Sequence, residues 1–126
     1  KVFMHGPTFM ANPLACSCAL ESIKVLVKSD WQQKIARVEK LMRNSLSELR
    51  NHSLVQDVRI LGCIGVVQLN KNVNVAHLVP QFVQNGVWIR PFKDLIYIMP
   101  PYIITEEELS CLTDAIISVV KNGDLT

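Results

Sequence analysis

A helix that is apolar nearly all round can persist only where other structure covers it. The residues after Asn12-Pro13 predict one. Asn12 is a good N-cap, and Pro13 suits the first helical position, where a missing N–H costs nothing. Leu14, Ala15, Cys18, Ala19, Ile23, Leu26 and Val27 then spread around a helix from about Pro13 to Lys28. The sequence therefore predicts a buried helix at a domain or subunit contact. Just ahead lies His5-Gly6-Pro7-Thr8, a tight turn with a hydroxyl before a helix N-terminus. Such a turn suits an anion such as phosphate. It equally suits an ordinary loop leading into a helix, and the residues alone leave both readings open.

At 126 residues the chain is the size of one ordinary domain, and 49% hydrophobic residues suffice for a core. Thirteen Lys and Arg are scattered among eleven Asp and Glu. No basic run interleaved with aromatics exists, which argues against nucleic acid. No apolar run approaches the roughly 20 residues that span a bilayer, which argues against a membrane. The start, Lys1-Val2-Phe3-Met4, has neither an initiator Met nor the features of a signal peptide. A piece of a longer chain is expected.

Cys16, Cys18, Cys63 and Cys111 form no C-x-x-C pair and have no His at zinc spacing. They read as small buried hydrophobes in a reducing compartment, the cytoplasm. No metal site is expected. His5, His52 and His77 are far apart and in no ligand motif.

Ser29 and Gln32 read as a capping box. The helix after it carries Trp31, Ile35, Val38, Met42, Leu46 and Leu49 on one face, with Gln33, Arg37, Lys40 and Arg43 elsewhere. Beyond His52 the period shortens. Two strands are predicted near Val58–Leu61 and Ile64–Leu69, joined or bent at Gly62 and Gly65. Asn74 reads as the cap of a helix through Val75, Leu78 and Phe82 that ends at Asn85-Gly86. Pro80 implies a kink there, or a later start. Val87–Phe92, Lys93-Asp94 and Leu95–Tyr102 read as a hairpin, with Pro91 ending pairing on its first strand. Thr105–Glu108 is a second capping box, opening a helix that stops at Asn122-Gly123. The pattern predicts an α+β fold: a small, mainly antiparallel sheet with helices packed on one face.

Arg90 sits at the end of an apolar run, with no acidic residue among its nearest sequence neighbours. Buried there, it would need an anion. Either a distant Asp or Glu pairs with it, or a ligand carboxylate does, since a guanidinium fork fits a carboxylate bidentately.

The run His5-Gly6-Pro7-Thr8-Phe9-Met10-x-Asn12-Pro13-Leu14-Ala15-Cys16 resembles the end of the large domain of class III aminotransferases. These are fold-type I enzymes dependent on pyridoxal 5'-phosphate. Trp88-Ile89-Arg90-Pro91-Phe92 and Met99-Pro100-Pro101-Tyr102-Ile103-Ile104 narrow the resemblance to the biotin-synthesis branch of that family. Members of that branch move an amino group from S-adenosylmethionine to 8-amino-7-oxononanoate, giving 7,8-diaminononanoate. The resemblance implies that residues 1–28 end the large domain with a connecting helix, and that residues 29–126 form the C-terminal small domain. It implies a homodimer in which Pro7 and Thr8 touch the phosphate of a cofactor bound mainly by the other subunit. Gly6 would touch substrate, Arg90 would hold the carboxylate of the oxononanoate, and Tyr97 would lie nearby.

The resemblance also implies that the lysine which carries the cofactor lies upstream. Lys1, Lys24 and Lys28 have no claim to that role, so no catalytic residue is expected here and the piece alone should be inactive. Ala11 stands where the family motif usually has glycine, in a position where φ > 0 would strain it. Two alternatives stay open: a class III aminotransferase with another amino acceptor, and a non-enzymatic interaction domain.

Overall fold

The computed structural model describes residues 1–126 other than Lys1, Phe3, Pro7 and Thr126. The chain divides into two compact units, Lys1–Trp31 and Gln32–Thr126.

The first unit is a turn followed by one helix, α1 (Pro13–Lys28). Asn12 caps it, its Oδ1 accepting from the Ala15 N–H at 3.0 Å. The expected start is therefore the observed one. No residue of α1 is buried. The reason is simple: this unit holds no second layer to cover the helix. Cys16 and Cys18 are exposed with it, and Cys111 is exposed in the second unit, so the expectation of buried cysteines fails for these three. Cys63 is half-buried, and burial pushes its thiol pKa up. The first capping box is also absent. Ser29 closes α1 instead, its N–H and Oγ both donating to the Leu26 carbonyl at 3.0 and 2.8 Å.

The amphipathic helix α2 (Trp31–Leu46), which belongs to the second unit from Gln32 on, passes into a 3-10 turn at Ser47–Asn51. Val38, Met42, Leu46 and Leu49 are its buried residues, as their spacing predicts. Strands β1 (Val55–Leu61) and β2 (Ile64–Leu69) form a hairpin around Gly62-Cys63. Gly62 takes φ +55, the positive φ that such a two-residue loop requires of its first residue. Helix α3 (Val75–Gln84) starts at the expected Asn74 cap and runs across Pro80. Strand β3 (Leu95–Ile98) pairs antiparallel with β2, giving the order β1-β2-β3. Helix α4 (Glu106–Asn122) opens on the Thr105–Glu108 capping box and closes at Gly123, φ +73.

Register puts Val58, Val67 and Ile96 in one row, and Ile60, Gly65 and Ile98 in the next. All six are buried, so this face carries the core. Met42 of α2 lies against Gly65, where an added Cβ would stand 3.1 Å from its sulfur. Core residues of α3 and α4, including Leu78, Phe82, Ile116 and Val119, complete the cluster. The α+β expectation, with a small antiparallel sheet and helices on one face, holds. One predicted strand does not: among the described residues Val87–Pro91 pairs with no strand, and Phe92 alone makes an isolated bridge, to Leu95. Pro91 has no N–H to offer a ladder.

A charged clamp holds the β1–β2 turn against α2. Glu39 Oε2 accepts from the Gly62 N–H at 2.9 Å, and Oε1 accepts from Arg43 at 2.6 Å. Arg43 also donates to the Ile60 carbonyl at 3.0 Å. The Arg43 hydrogen bond, then that of Gly62, hold the Glu39 carboxyl below its usual range.

Candidate functional site

Arg90 lies on the extended segment between α3 and β3, and that segment is pinned at both ends. The Val87 N–H donates to the Phe82 carbonyl at 3.1 Å. Phe92 and Leu95 exchange two backbone hydrogen bonds at 2.9 Å around the Lys93-Asp94 turn. Between these anchors the side chains alternate: Ile89 and Pro91 turn into the core, while Trp88, Arg90 and Phe92 face out. Arg90 is thus exposed, not buried as the apolar run implied. Extended backbone sends successive side chains to opposite sides, and Ile89 and Pro91 take the inner one.

Two clefts meet at Arg90. One, of about 260 Å³, is walled by Trp88, Tyr97, Met99 and Pro100. The other, of about 370 Å³, runs past Val75, Phe92 and Lys93. Arg90 and Tyr97 line both. Sequence reasoning singled out Arg90 and Tyr97 but passed over Trp88 and Lys93. The outward alternation of Trp88, Arg90 and Phe92 was the signal for the first. Nothing local marks the second.

The question of Arg90's partner has a structural answer within this chain. Arg37, Arg43 and Arg59 each reach a carboxylate, on Glu106, Glu39 and Asp57 respectively. Among the described residues Arg90 makes no ion pair and no side-chain hydrogen bond. Arg50 shares that state, but on the exposed 3-10 turn. The nearest acid in sequence, Asp94, is otherwise engaged. Its Oδ2 accepts from Gln68 Nε2 at 2.8 Å, and Gln68 Oε1 in turn accepts from Arg59 at 2.7 Å. This polar ladder crosses the outer face of the sheet, ends on Asp57, and fixes the 93–94 turn. Arg59 accordingly holds the Asp57 carboxyl below its usual range. The guanidinium of Arg90 is left facing solvent, with an aromatic wall beside it and no internal anion.

In the first unit Thr8 is exposed in the turn that leads to α1, and its hydroxyl makes no hydrogen bond among the described residues. Gly6 is exposed, with open space where a Cβ would stand. Pro7 lies outside the described residues. Ala11 does adopt the left-handed conformation, φ +57, that its place in the motif implied would strain it.

A family model for class III aminotransferases matches residues 1–120. The chain belongs to the class III aminotransferase family. Curated relatives agree. Adenosylmethionine-8-amino-7-oxononanoate aminotransferase of Buchnera aphidicola from Acyrthosiphon pisum is 49% identical over 123 residues, covering 98% of this chain and 29% of that protein. The namesake of Corynebacterium glutamicum is 45% identical, covering 94% and 28%. That of Saccharomyces cerevisiae is 38% identical, covering 94% and 26%. This class III segment therefore spans little more than a quarter of the length of the curated relatives it matches.

Solved structures show the same fold. The omega transaminase of Pseudomonas jessenii superposes with a TM-score of 0.81 at 22% identity, covering 94% of this chain and 28% of that one. The omega transaminase of Thermomicrobium roseum gives 0.82 at 22%, covering 97% and 30%.

Proposed function

We propose that this chain is the C-terminal part of a pyridoxal phosphate-dependent aminotransferase that moves an amino group from S-adenosylmethionine to 8-amino-7-oxononanoate. The names of the relatives at 38–49% identity support that reading. The observation that carries it is the state of Arg90: a solvent-facing guanidinium on a pinned backbone segment, beside an aromatic wall, with no carboxylate of its own among the described residues. The oxononanoate brings a carboxylate at the end of an apolar chain. The fork would take the carboxylate, and Trp88, Tyr97 and Met99 would take the methylenes.

The cofactor belongs to the whole protein, in which residues 1–28 would close the large domain and residues 29–126 form the small one. The described part of the first unit fits a phosphate: an exposed, unengaged Thr8 hydroxyl on a turn ahead of a helix N-terminus. In a homodimer, Pro7 and Thr8 would hold the phosphate of the partner subunit's cofactor, and Gly6 would leave room for substrate. Bound pyridoxal phosphate would supply the electron sink for amino transfer. The residues here bind and orient, and the lysine that carries the cofactor is upstream. No helix among the described residues is long and apolar enough to cross a membrane. Exposed free thiols suit a reducing cytoplasm.

The test uses the full-length protein with pyridoxal phosphate and S-adenosylmethionine, offering 8-amino-7-oxononanoate and, separately, pyruvate as acceptors. Product should form with the first alone. Turnover with pyruvate and none with the oxononanoate would reassign the chain to another class III acceptor.

A further inference from the structure

The second cleft at Arg90 carries a feature that the carboxylate reading does not use. Lys93 lines it together with Arg90 and Tyr97. The Lys93 ammonium has no ion pair among the described residues, and the only carboxylate in its own turn, Asp94, is held by Gln68. Lys93 Nζ instead lies 5.5 Å from the centre of the Phe92 ring, a contact that keeps its side chain over the outward face of the segment. The backbone of Lys93 is held at φ +55, a region costly for any residue with a side chain and free for glycine. Lys93 opens a two-residue hairpin loop, which requires that positive φ of its first residue, as at Gly62. Here the Phe92–Leu95 bridge and the bond from the Val73 N–H to the Lys93 carbonyl, at 2.9 Å, fix it.

Resting on the reading of Arg90 above, we propose that Lys93 is a specificity-determining residue, a second cation that draws the carboxylate of the amino acceptor into the cleft and holds it there. The two cations divide the task by their chemistry. The planar fork of Arg90 fixes the carboxylate's orientation, whereas the compact ammonium of Lys93 adds attraction without direction. An exposed charge of this type acts on encounter and affinity, is screened by salt, and leaves the chemical step alone.

The test is steady-state kinetics of the full-length holoenzyme with 8-amino-7-oxononanoate at low and high ionic strength, for wild type, Lys93→Gly, Lys93→Arg and Arg90→Ala. Lys93→Gly removes the charge and relieves the backbone, so its thermal midpoint should not fall. Its KM for the acceptor acid should rise about three- to tenfold with kcat unchanged, the size expected of one nearby charge at the surface. Salt should raise the KM of wild type more steeply than that of Lys93→Gly, and Lys93→Arg should behave as wild type. An unchanged KM and salt response in Lys93→Gly overturns the proposal. Arg90→Ala separates the two failures: if it raises KM while Lys93→Gly does not, only the role of Lys93 falls. If neither variant moves KM, the carboxylate site itself is wrong.

Discussion

Replacing Arg90 by alanine distinguishes a ligand-binding arginine from a structural one, because the two make opposite demands. A structural arginine is missed by the fold. Here the guanidinium has no protein partner among the described residues and faces solvent, while the anchors of its segment are the buried Ile89 and Pro91. Its loss should therefore change stability by no more than about 0.5 kcal/mol, as for other surface substitutions away from special contacts. Binding is another matter. Hydrogen bonds to a charged group are worth about 1.5–3 kcal/mol each. Losing a single one, with water replacing the other, lowers kcat/KM by roughly 10- to 150-fold at about 1.4 kcal/mol per factor of ten. The assay compares the free acid 8-amino-7-oxononanoate with its methyl ester in the full-length enzyme, alongside thermal denaturation. Arg90→Ala should lose activity toward the acid, keep its midpoint, and treat the ester much as wild type does. A variant that melts early and loses acid and ester alike would refute the reasoning.

Three further outcomes follow from the packing. Glu39→Gln should flatten the acid limb of the stability profile. The Glu39 carboxyl sits below its ordinary value near 4.5 in the folded state, so its contribution is complete above that value and fades as pH falls through the lower one; urea midpoints between about pH 3 and 6 would show this. Gly65→Val should destabilise by about 1–3 kcal/mol, because a Cβ already stands 3.1 Å from Met42 Sδ and 3.3 Å from Ile98 Cγ1. Chemical denaturation reads it directly, and an unchanged midpoint would mean that α2 does not pack on this row. Ala11→Gly should stabilise slightly. It removes about 1–2 kcal/mol of left-handed strain at φ +57 and returns about 0.4–1 kcal/mol of chain entropy, and a small rise in thermal midpoint would record the difference.

Much of the fold was legible because local chemistry and the final structure agree. Asn12-Pro13, Thr105 with Glu108, and Gly123 mark helix ends by hydrogen bonds made within a few residues, and each bond is present. The amphipathic spacing of α2 and the alternation of β1 and β2 carried the core. The misses have physical causes of the same kind. Ser29 has the chemistry of an N-cap, but it serves as the C-cap of α1, and α2 begins only at Trp31, one residue too late for Ser29 to cap it. Val87–Phe92 has the period of a strand because extended backbone alternates with or without a ladder, and Pro91 cannot join one. α1 and its cysteines stand exposed in this unit, because composition records that a helix needs cover but not where the cover comes from. The site was legible only in part. That Arg90 lacks an internal acid depends on Asp94 bonding to Gln68, a residue 26 positions away, and no local pattern reveals that contact. The cation at Lys93 was hidden in what reads as a plain hairpin turn.

The most direct measurement is a crystal structure of the full-length holoenzyme with 8-amino-7-oxononanoate bound. Both guanidinium nitrogens of Arg90 should lie within about 3 Å of the substrate carboxylate, and Thr8 Oγ1 on the phosphate of the partner subunit's cofactor. An Arg90 paired with an Asp or Glu from the upstream chain, with the substrate carboxylate held elsewhere, would contradict this arrangement.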